Sequence, residues 1–237
     1  MTVGSADQGA EGQVVLFDLD GTLSDSAPGI LAALRHAFAE HGLPQLDPRA
    51  EQALLGPPFY ESLPPLLGGT ELLPSVISSY REFYAAGAMY DTRAYDGVRE
   101  VLEAARAAGR RLAVATSKPE HYAAPIIERL GLAEFFDTIG GDELDGSLGT
   151  KALVVGKVLA RLGSPDPASV LMVGDRAHDV HGAREHGIAC VGAGWGYGLP
   201  GELEAAGADP LCAAPDELYA ALGLDAEGVE ERDAAAS

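Results

Sequence analysis

The 237-residue sequence is poor in lysine and in positive charge. Its 16 Lys and Arg residues face 36 Asp and Glu residues, and the formal net charge at pH 7 is −20. This charge argues against binding to nucleic acid or to anionic membranes, because both present phosphate groups that require positive patches on a protein. A small phosphorylated substrate remains compatible with it, because a few local cations are enough to bind one. The lysines available for this are Lys118, Lys151 and Lys157.

Cysteines and long apolar runs are also scarce. Cys190 and Cys212 have the spacing of neither a metal site nor a redox pair, which disfavours a disulfide and favours a reducing, cytoplasmic setting. No apolar stretch is long enough to span a bilayer. The first ten residues have neither a basic start nor an apolar run, so we expect no secretory signal. The length suits one large domain or a core with an insertion, as a monomer or a homodimer.

The stretch that organises the rest of the sequence is VVLFDLDGTLSDS, residues 14–26. Its four apolar residues, Val14–Phe17, predict a buried strand of a parallel sheet. Asp18 and Asp20 follow at the carboxyl end of this strand, where ligands bind in open parallel sheets. Two carboxylates that point the same way need a cation or a shared proton, and Mg²⁺ prefers carboxylate oxygens. The alternative interpretation is a plain turn at Asp20 that closes a strand.

Beyond this stretch, strands and helices alternate. Apolar runs predict further strands at 111–116, 135–140, 170–174 and 188–191, with helices between them. This alternation predicts the α/β class: a doubly wound, Rossmann-like parallel sheet with right-handed crossovers.

Residues 26–94 interrupt the alternation with a run of helical patterns and no clear strand. The last of these patterns, over residues 73–86, places Val76, Tyr80 and Phe83 on one side. We therefore predict an inserted α-helical cap. The predicted boundaries are a core at 13–25 and 95–222, a cap at 26–94, and disordered segments at 1–12 and 223–237.

Four short motifs at the ends of predicted strands resemble those of the haloacid dehalogenase superfamily of phosphatases. The first is Phe17-Asp18-Leu19-Asp20-Gly21-Thr22-Leu23, which matches D-x-D-G-T. The others follow in the order that the family requires: Thr116-Ser117-Lys118, Lys151 at a helix start, and Gly174-Asp175-Arg176-Ala177-His178-Asp179, which matches G-D-x-x-x-D. The resemblance covers the whole core and implies the same α/β fold with a cap.

The resemblance also implies a role for each matched residue. Asp18 is the expected nucleophile, Asp20 the general acid and base, and Lys151 the cation that balances charge in the transition state. The remaining positions imply phosphate binding by Thr116, Ser117 and Lys151, a Mg²⁺ site made by Asp18, the Asp20 backbone carbonyl and Asp175, and orientation of that site by Asp179.

Each motif also has a structural interpretation. Ser117 is suited to cap the following helix, and a single lysine such as Lys151 is more commonly an exposed surface residue. The alternative interpretation of the fourth motif is a capped helix start followed by an acidic side chain that is exposed to solvent. His178 and His181 flank it, and we expect them to be surface residues rather than a zinc pair.

The reaction predicted from these motifs is Mg²⁺-dependent hydrolysis of a phosphomonoester through an aspartyl-phosphate. Gly194-Trp195-Gly196-Tyr197-Gly198 and Gly56-Pro57-Pro58 resemble the phosphoglycolate phosphatase group in particular. A nucleoside monophosphatase stays open, as does a phosphomutase, although mutases tend to carry Glu-Asp where this chain has Gly174-Asp175. A phosphoacceptor receiver domain uses similar chemistry but is about half this length.

The leaving group is expected to be chosen by the cap. The candidate residues are Arg35, Phe59 and Tyr60, and none of them identifies the substrate.

Overall fold

A computed structural model describes residues 13–224. The predicted disordered segment 1–12 and residues 225–237 of the predicted tail lie outside the described residues. The strands are β1 (Val14–Phe17), β2 (Ser24–Asp25), β3 (Arg93–Ala94), β4 (Arg111–Pro119), β5 (Thr138–Asp142), β6 (Val170–Gly174), β7 (Ala189–Ala193) and β8 (Leu211–Cys212). The helices are α1 (Ala27–Glu40), α2 (Pro48–Ala53), α3 (Phe59–Ser62), α4 (Pro64–Leu67), α5 (Leu73–Ala85), α6 (Val98–Ala107), α7 (Glu120–Arg129), α8 (Lys151–Arg161), α9 (Ala177–Glu185), α10 (Glu202–Ala206) and α11 (Leu218–Ala221).

The main sheet confirms the predicted α/β class. Six strands lie in the order β5-β4-β1-β6-β7-β8, and every neighbouring pair is parallel. Strand β1 is central, and Phe17 lies opposite Val114 of β4 and Val173 of β6. The carboxyl ends of these three strands therefore meet at one edge, which brings their motifs together although they are distant in the sequence.

Helices cover both faces of the sheet because alternate strand residues point to opposite sides. Val15 and Phe17 join one apolar cluster, which includes side chains from α6, α7 and the inserted helices. Val14 and Leu16 join the other cluster, with side chains from α8 and α9. Strands buried on both faces read as continuous apolar runs, which is why β1 and β6 were predictable. No helix among residues 13–224 is long and apolar enough to cross a membrane.

The inserted helices leave and re-enter the core at one place. Ser24 of β2 pairs with Ala94 of β3, and Asp25 pairs with Arg93, in a small antiparallel ladder. The prediction that residues 26–94 lack a strand is therefore wrong at Arg93–Ala94. Because this ladder begins six residues after Asp18, both connections to the helical part lie close to the carboxyl end of β1.

Helix α5 differs from its prediction in which aromatic residue faces inward. Val76 and Tyr80 are buried as expected, but Phe83 is exposed and stacks on His36 at a centroid distance of 4.4 Å. Tyr84 is buried instead. The buried stripe follows the four-residue spacing from Tyr80 to Tyr84, which turns the Tyr84 hydroxyl toward the core.

Strand β5 also begins later than predicted, at Thr138, and Phe135 lies in a 3₁₀ turn. It also ends later than predicted, because Gly141 and Asp142 follow Gly140 inside the strand. A Cβ on Gly141 would overlap the backbone of Lys118 and Glu120, so close packing of β5 against the end of β4 requires glycine there. At the other end of the chain, Leu224 packs in the core, two residues beyond the predicted boundary.

Candidate active site

The site is built around the carboxyl end of β1. Asp18 and Asp20 are both buried, and the backbone N–H of Asp18 donates to the carbonyl of Val173 at 2.9 Å, which extends the pairing with β6 by one residue. Gly21 then turns the chain with a φ of +89°. A side chain at Gly21 would overlap the carboxylate of Asp175, so this glycine permits both the turn and the close approach of the fourth motif.

Lys151 lies between two carboxylates. Thr150 caps α8 by accepting from the N–H of Leu153, which fixes Lys151 at the first position of that helix. The Lys151 Nζ is 2.6 Å from Asp18 Oδ1 and 2.5 Å from Asp179 Oδ1, and only 4% of the side chain is exposed. Burial lowers the pKa of Lys151, but Asp179 and Asp18 more than offset this and raise it above its usual value. The surface-lysine alternative for Lys151 is therefore wrong, because the ammonium ion is fixed in the centre of the site.

The fourth motif places two further carboxylates beside Asp18. Asp175 is fully buried, and it accepts from the Thr22 hydroxyl at 3.2 Å and from the backbone N–H of Tyr197 at 2.7 Å. Asp179 accepts from the N–H of Arg176 at 3.0 Å, so it caps the start of α9 as well as binding Lys151. The structure therefore contradicts the alternative of a solvated acid, since Asp179 is only 2% exposed.

The carboxylates form a group suited to a divalent cation. Oxygens of Asp18, Asp175 and Asp179 lie within 4.8 Å of one another. Burial raises the pKa of Asp18 to about 6 against the opposing effect of Lys151, and burial together with Asp179 and Asp18 raises the pKa of Asp175 well above its usual value. With Asp20 the site holds four buried carboxylates against the two ammonium groups of Lys118 and Lys151, so full ionisation of the acids leaves two negative charges for a dication to balance.

The second motif lies at the end of β4, next to these acids. Thr116 is buried, and its hydroxyl accepts from the N–H of Lys118 at 3.2 Å. Ser117 lines the cleft between the core and the inserted helices. Helix α7 has Pro119 at its N-cap position without a side-chain hydrogen bond, so the alternative role of Ser117 as a helix cap is wrong. Both hydroxyl residues lie at the sheet edge where a phosphate group is expected.

Lys118, expected only as an available cation, lies buried in the site beside Asp20. Its Nζ is 2.9 Å from Asp20 Oδ2 and donates to the Tyr84 hydroxyl at 2.8 Å. The other Asp20 oxygen accepts from the Ser26 hydroxyl at 2.5 Å. One signal was present in the sequence, because Lys118 is one of three lysines and directly follows Ser117. The hydrogen bond from Lys118 to Tyr84 of the cap could not be predicted without the fold.

The cap residues predicted to select the substrate fall in different places. Phe59 and Tyr60 line a cavity of about 720 Å³, counted with the solvent at its mouth, that opens beside Asp20 and Ser117. Arg35 lies outside this cavity, contrary to the prediction. It is exposed at the surface of the cap, where its guanidinium pairs with Glu51 at 2.6 and 2.8 Å.

The remaining candidate side chains are peripheral. Lys157 pairs with Glu120 and Glu143 at the surface. His178 and His181 line a second, polar part of the cleft beside Lys151, and His181 is exposed.

A family model described as "Haloacid dehalogenase-like hydrolase" matches residues 15–193 of this sequence. The match contains all four motifs and spans most of the chain. The chain belongs to the haloacid dehalogenase-like hydrolases. This confirms the family predicted from the motifs and sets aside a receiver domain.

Relatives of this haloacid dehalogenase-like hydrolase carry several names. It is 41% identical over 218 residues to the tyrosine-protein kinase PtkA of Mycobacterium tuberculosis, covering 91% of this chain and 74% of that protein. It is 36% identical to a 5'-nucleotidase of Pseudomonas aeruginosa, covering 84% and 90% of the two chains. It is 31% identical to a phosphoglycolate phosphatase of Caulobacter vibrioides, covering 84% and 85%.

Solved structures of the family superpose well on the chain. A predicted phosphatase from Clostridium acetobutylicum is 34% identical and has a TM-score of 0.85, covering 90% of this chain and 98% of that one. The prediction that this haloacid dehalogenase-like hydrolase is an enzyme, and a phosphatase, is confirmed by the family and by these similarities.

Proposed function

We propose that this chain is a Mg²⁺-dependent phosphomonoesterase that hydrolyses a small phosphorylated metabolite through an aspartyl-phosphate on Asp18. The observation that carries the proposal is the position of Lys151, which joins Asp18 to Asp179 through two short ion pairs in a buried site. An ammonium group there orients one oxygen of Asp18 and leaves the carboxylate able to attack phosphorus. Thr116 and Ser117, at the neighbouring strand end, supply donors for the phosphate oxygens.

In the first step, an oxygen of Asp18 forms a bond to phosphorus while the bond from phosphorus to the ester oxygen breaks. The leaving oxygen takes a proton from Asp20, which lies two residues away and lines the cavity expected to hold the leaving group. Lys151 balances negative charge that builds up on the phosphoryl group in the transition state.

In the second step, Asp20 accepts a proton from water as the water oxygen bonds to phosphorus. The bond from phosphorus to Asp18 then breaks, which releases inorganic phosphate and restores the carboxylate. Ser26 and Lys118 contact the two oxygens of Asp20 and so fix the position of this side chain beside the cavity.

The donor set fits Mg²⁺, because hard carboxylate oxygens are its preferred ligands. Asp18 and Asp175 are the side chains proposed to hold it, with the Asp20 carbonyl as a third protein ligand, and Asp179 is proposed to orient this set. When bound, Mg²⁺ supplies charge neutralisation for the phosphoryl oxygens. A reducing cytoplasmic location is proposed as well, since Cys190 and Cys212 are both buried free thiols.

A second candidate is phosphoryl transfer to a tyrosine. The 41% identity with a protein named as a tyrosine kinase favours it, because it extends over 91% of this chain. A phosphomutase is less favoured, since Gly174 stands where mutases tend to carry glutamate. The 5'-nucleotidase and phosphoglycolate phosphatase relatives favour hydrolysis.

The proposal is tested by measuring phosphate release from a panel of phosphomonoesters with Mg²⁺, with excess chelator, and after Mg²⁺ is restored. We expect release that stops with chelator and returns with Mg²⁺, and no release by Asp18→Asn. In a parallel reaction, a nucleoside triphosphate and a tyrosine peptide replace the ester. Phosphotyrosine formation without ester hydrolysis would overturn the proposal in favour of the second candidate.

A further inference from the structure

The cavity beside Asp20 is lined by an unusual number of aromatic side chains. They come from the cap and from α7, and they are Phe59, Tyr60, Tyr80, Tyr84 and Tyr122. Only 6% of all residues in the chain are aromatic, so five in one cavity is a marked concentration.

Four of these rings form a continuous series. Phe59 meets Tyr80 edge-on at a centroid distance of 4.7 Å, Tyr80 stacks on Tyr84 at 5.2 Å, and Tyr84 meets Tyr122 edge-on at 5.6 Å. All three distances fall in the range where aromatic pairs attract. A further ring entering the cavity can extend this series.

The charges of the cavity wall oppose a second anionic group on the substrate. Of its two cations, Lys118 forms an ion pair with Asp20 and donates to the Tyr84 hydroxyl, while Arg81 donates to the carbonyl of Leu144. The acids Asp142 and Glu143 also line the cavity, so its wall carries one more negative than positive charge. A leaving group with its own carboxylate would therefore meet a lining of net negative charge.

The position of Asp20 decides which part of the substrate enters the cavity. A general acid must lie within hydrogen-bond reach of the oxygen that it protonates. Since Asp20 lines this cavity, the leaving group lies on that side, and the phosphoryl group lies toward Lys151. The aromatic wall therefore faces the part of the substrate that differs between phosphomonoesters.

We propose that this cavity binds an uncharged aromatic ring carried by the leaving group, so that ring-bearing phosphomonoesters are preferred to small carboxylated ones. The inference rests on the proposed phosphatase activity. A nucleobase and a simple aryl ring share the required chemistry, and they differ in how far the ring lies from the ester oxygen.

The test compares kcat/KM for benzyl phosphate and cyclohexylmethyl phosphate with the wild-type chain and Mg²⁺. The two leaving groups are primary alcohols of similar size, so aromaticity is the main difference. We expect benzyl phosphate to be preferred about 2- to 10-fold, the effect of one aromatic pair. Phosphoglycolate is the carboxylated member of the panel and is expected to be the poorest of the three substrates.

A variant and a matched control locate the effect. Tyr60→Leu removes a cavity ring at a position where 41% of the residue is exposed, so the fold tolerates it; we expect the benzyl preference to shrink about 2- to 10-fold. Tyr90→Leu changes a cap tyrosine that is 42% exposed but lies outside the cavity lining. It is expected to leave the preference unchanged, and thermal unfolding checks that both variants are folded.

The two proposals fail in distinguishable ways. If phosphate is released from every ester with Mg²⁺, the phosphatase proposal holds. If phosphoglycolate is then preferred, or benzyl phosphate is not preferred to its cyclohexyl counterpart, the aromatic-site proposal is overturned. If no phosphate is released from any ester, the phosphatase proposal itself is overturned. A preference for adenosine monophosphate over ribose phosphate supports a ring at nucleoside distance. A benzyl preference without it supports a ring close to the ester oxygen.

Discussion

Replacing Lys151 by methionine tests whether the buried ion pairs hold the site together. Methionine keeps the unbranched apolar stem of lysine and removes the ammonium group. Asp18 and Asp179, whose side chains are 8% and 2% exposed, then lose the cation that lies 2.6 and 2.5 Å from them. Removing one partner of a buried ion pair costs about 3–5 kcal/mol, because the remaining charges stay desolvated.

Helix α8 offers a matched control for this substitution. Lys157 also pairs with two carboxylates, Glu120 at 3.0 Å and Glu143 at 2.7 Å, but its side chain is 20% exposed and those partners are 32% and 54% exposed. Surface pairs of this kind contribute about 0–1 kcal/mol. Lys151→Met and Lys157→Met thus remove the same number of ion pairs from the same helix at different burial.

Urea unfolding measures the free energy of unfolding of each variant. Excess chelator is present so that no metal ion takes the place of the missing ammonium group. For a chain of this size, a loss of 3–5 kcal/mol lowers the melting temperature by about 6–20 °C. In urea we expect a loss of about 3–5 kcal/mol for Lys151→Met and of at most about 1 kcal/mol for Lys157→Met. Equal losses for the two variants would refute the argument that burial determines the energy of these pairs.

Three further substitutions test other parts of the account. Tyr197→Phe removes a hydroxyl that accepts from the N–H groups of Ser26 and Ala27 at 2.7 and 2.9 Å, and leaving them unpaired is expected to cost about 1–3 kcal/mol. Tyr219→Phe is its control, because the Tyr219 hydroxyl has no hydrogen-bond partner among the described residues; similar losses in urea unfolding would contradict the stabilising effect of the two Tyr197 hydrogen bonds. Asp20→Asn removes the general acid, so kcat/KM, which reports formation of the phosphorylated enzyme, should fall less for a nitrophenyl ester, whose leaving group needs no proton, than for an alkyl ester. Equal falls would remove Asp20 from that role. Arg35→Ala is expected to leave the ranking of substrates unchanged, and a changed ranking would return Arg35 to the cleft.

Local pattern was sufficient to predict most of the fold. Strands β1 and β6 are apolar runs buried on both faces, and β6 has the predicted bounds of Val170–Gly174. The start of α2 also depends on local sequence, because aspartate followed by proline is a strong signal for a helix start and Asp47 does cap α2. These features depend on residues that are close in the sequence.

The errors arose where distant contacts decide the outcome. Phe83 and Tyr84 both continue an apolar helical stripe, and the choice between them depends on Lys118, which lies 34 residues beyond Tyr84. The sequence does not show that Arg35 pairs with an acid, because only the folding of the cap brings Glu51 next to it. The predicted strand ended at Gly140, and only the backbone of Lys118 and Glu120 beside Gly141 shows why the strand continues through a second glycine.

The sequence predicted which motif residues belong to the site, but not which of their side chains contact one another. Family resemblance indicated that Asp18, Asp175 and Lys151 belong to one site, and parallel topology brings them together. That Lys151 binds Asp179 as well as Asp18, and that Asp20 is held by Lys118, follows from side-chain geometry that no spacing encodes.

The central claim is that Asp18 carries the phosphoryl group during turnover. The most direct measurement is acid quenching of Asp20→Asn during hydrolysis of a nitrophenyl ester, followed by peptide mass analysis. This variant lacks the base that activates water, so the phosphorylated enzyme should accumulate. The account predicts phosphate on the peptide that contains Asp18, and its loss in the double variant with Asp18→Asn. Phosphate on any other residue, or turnover with no phosphorylated peptide, would contradict it.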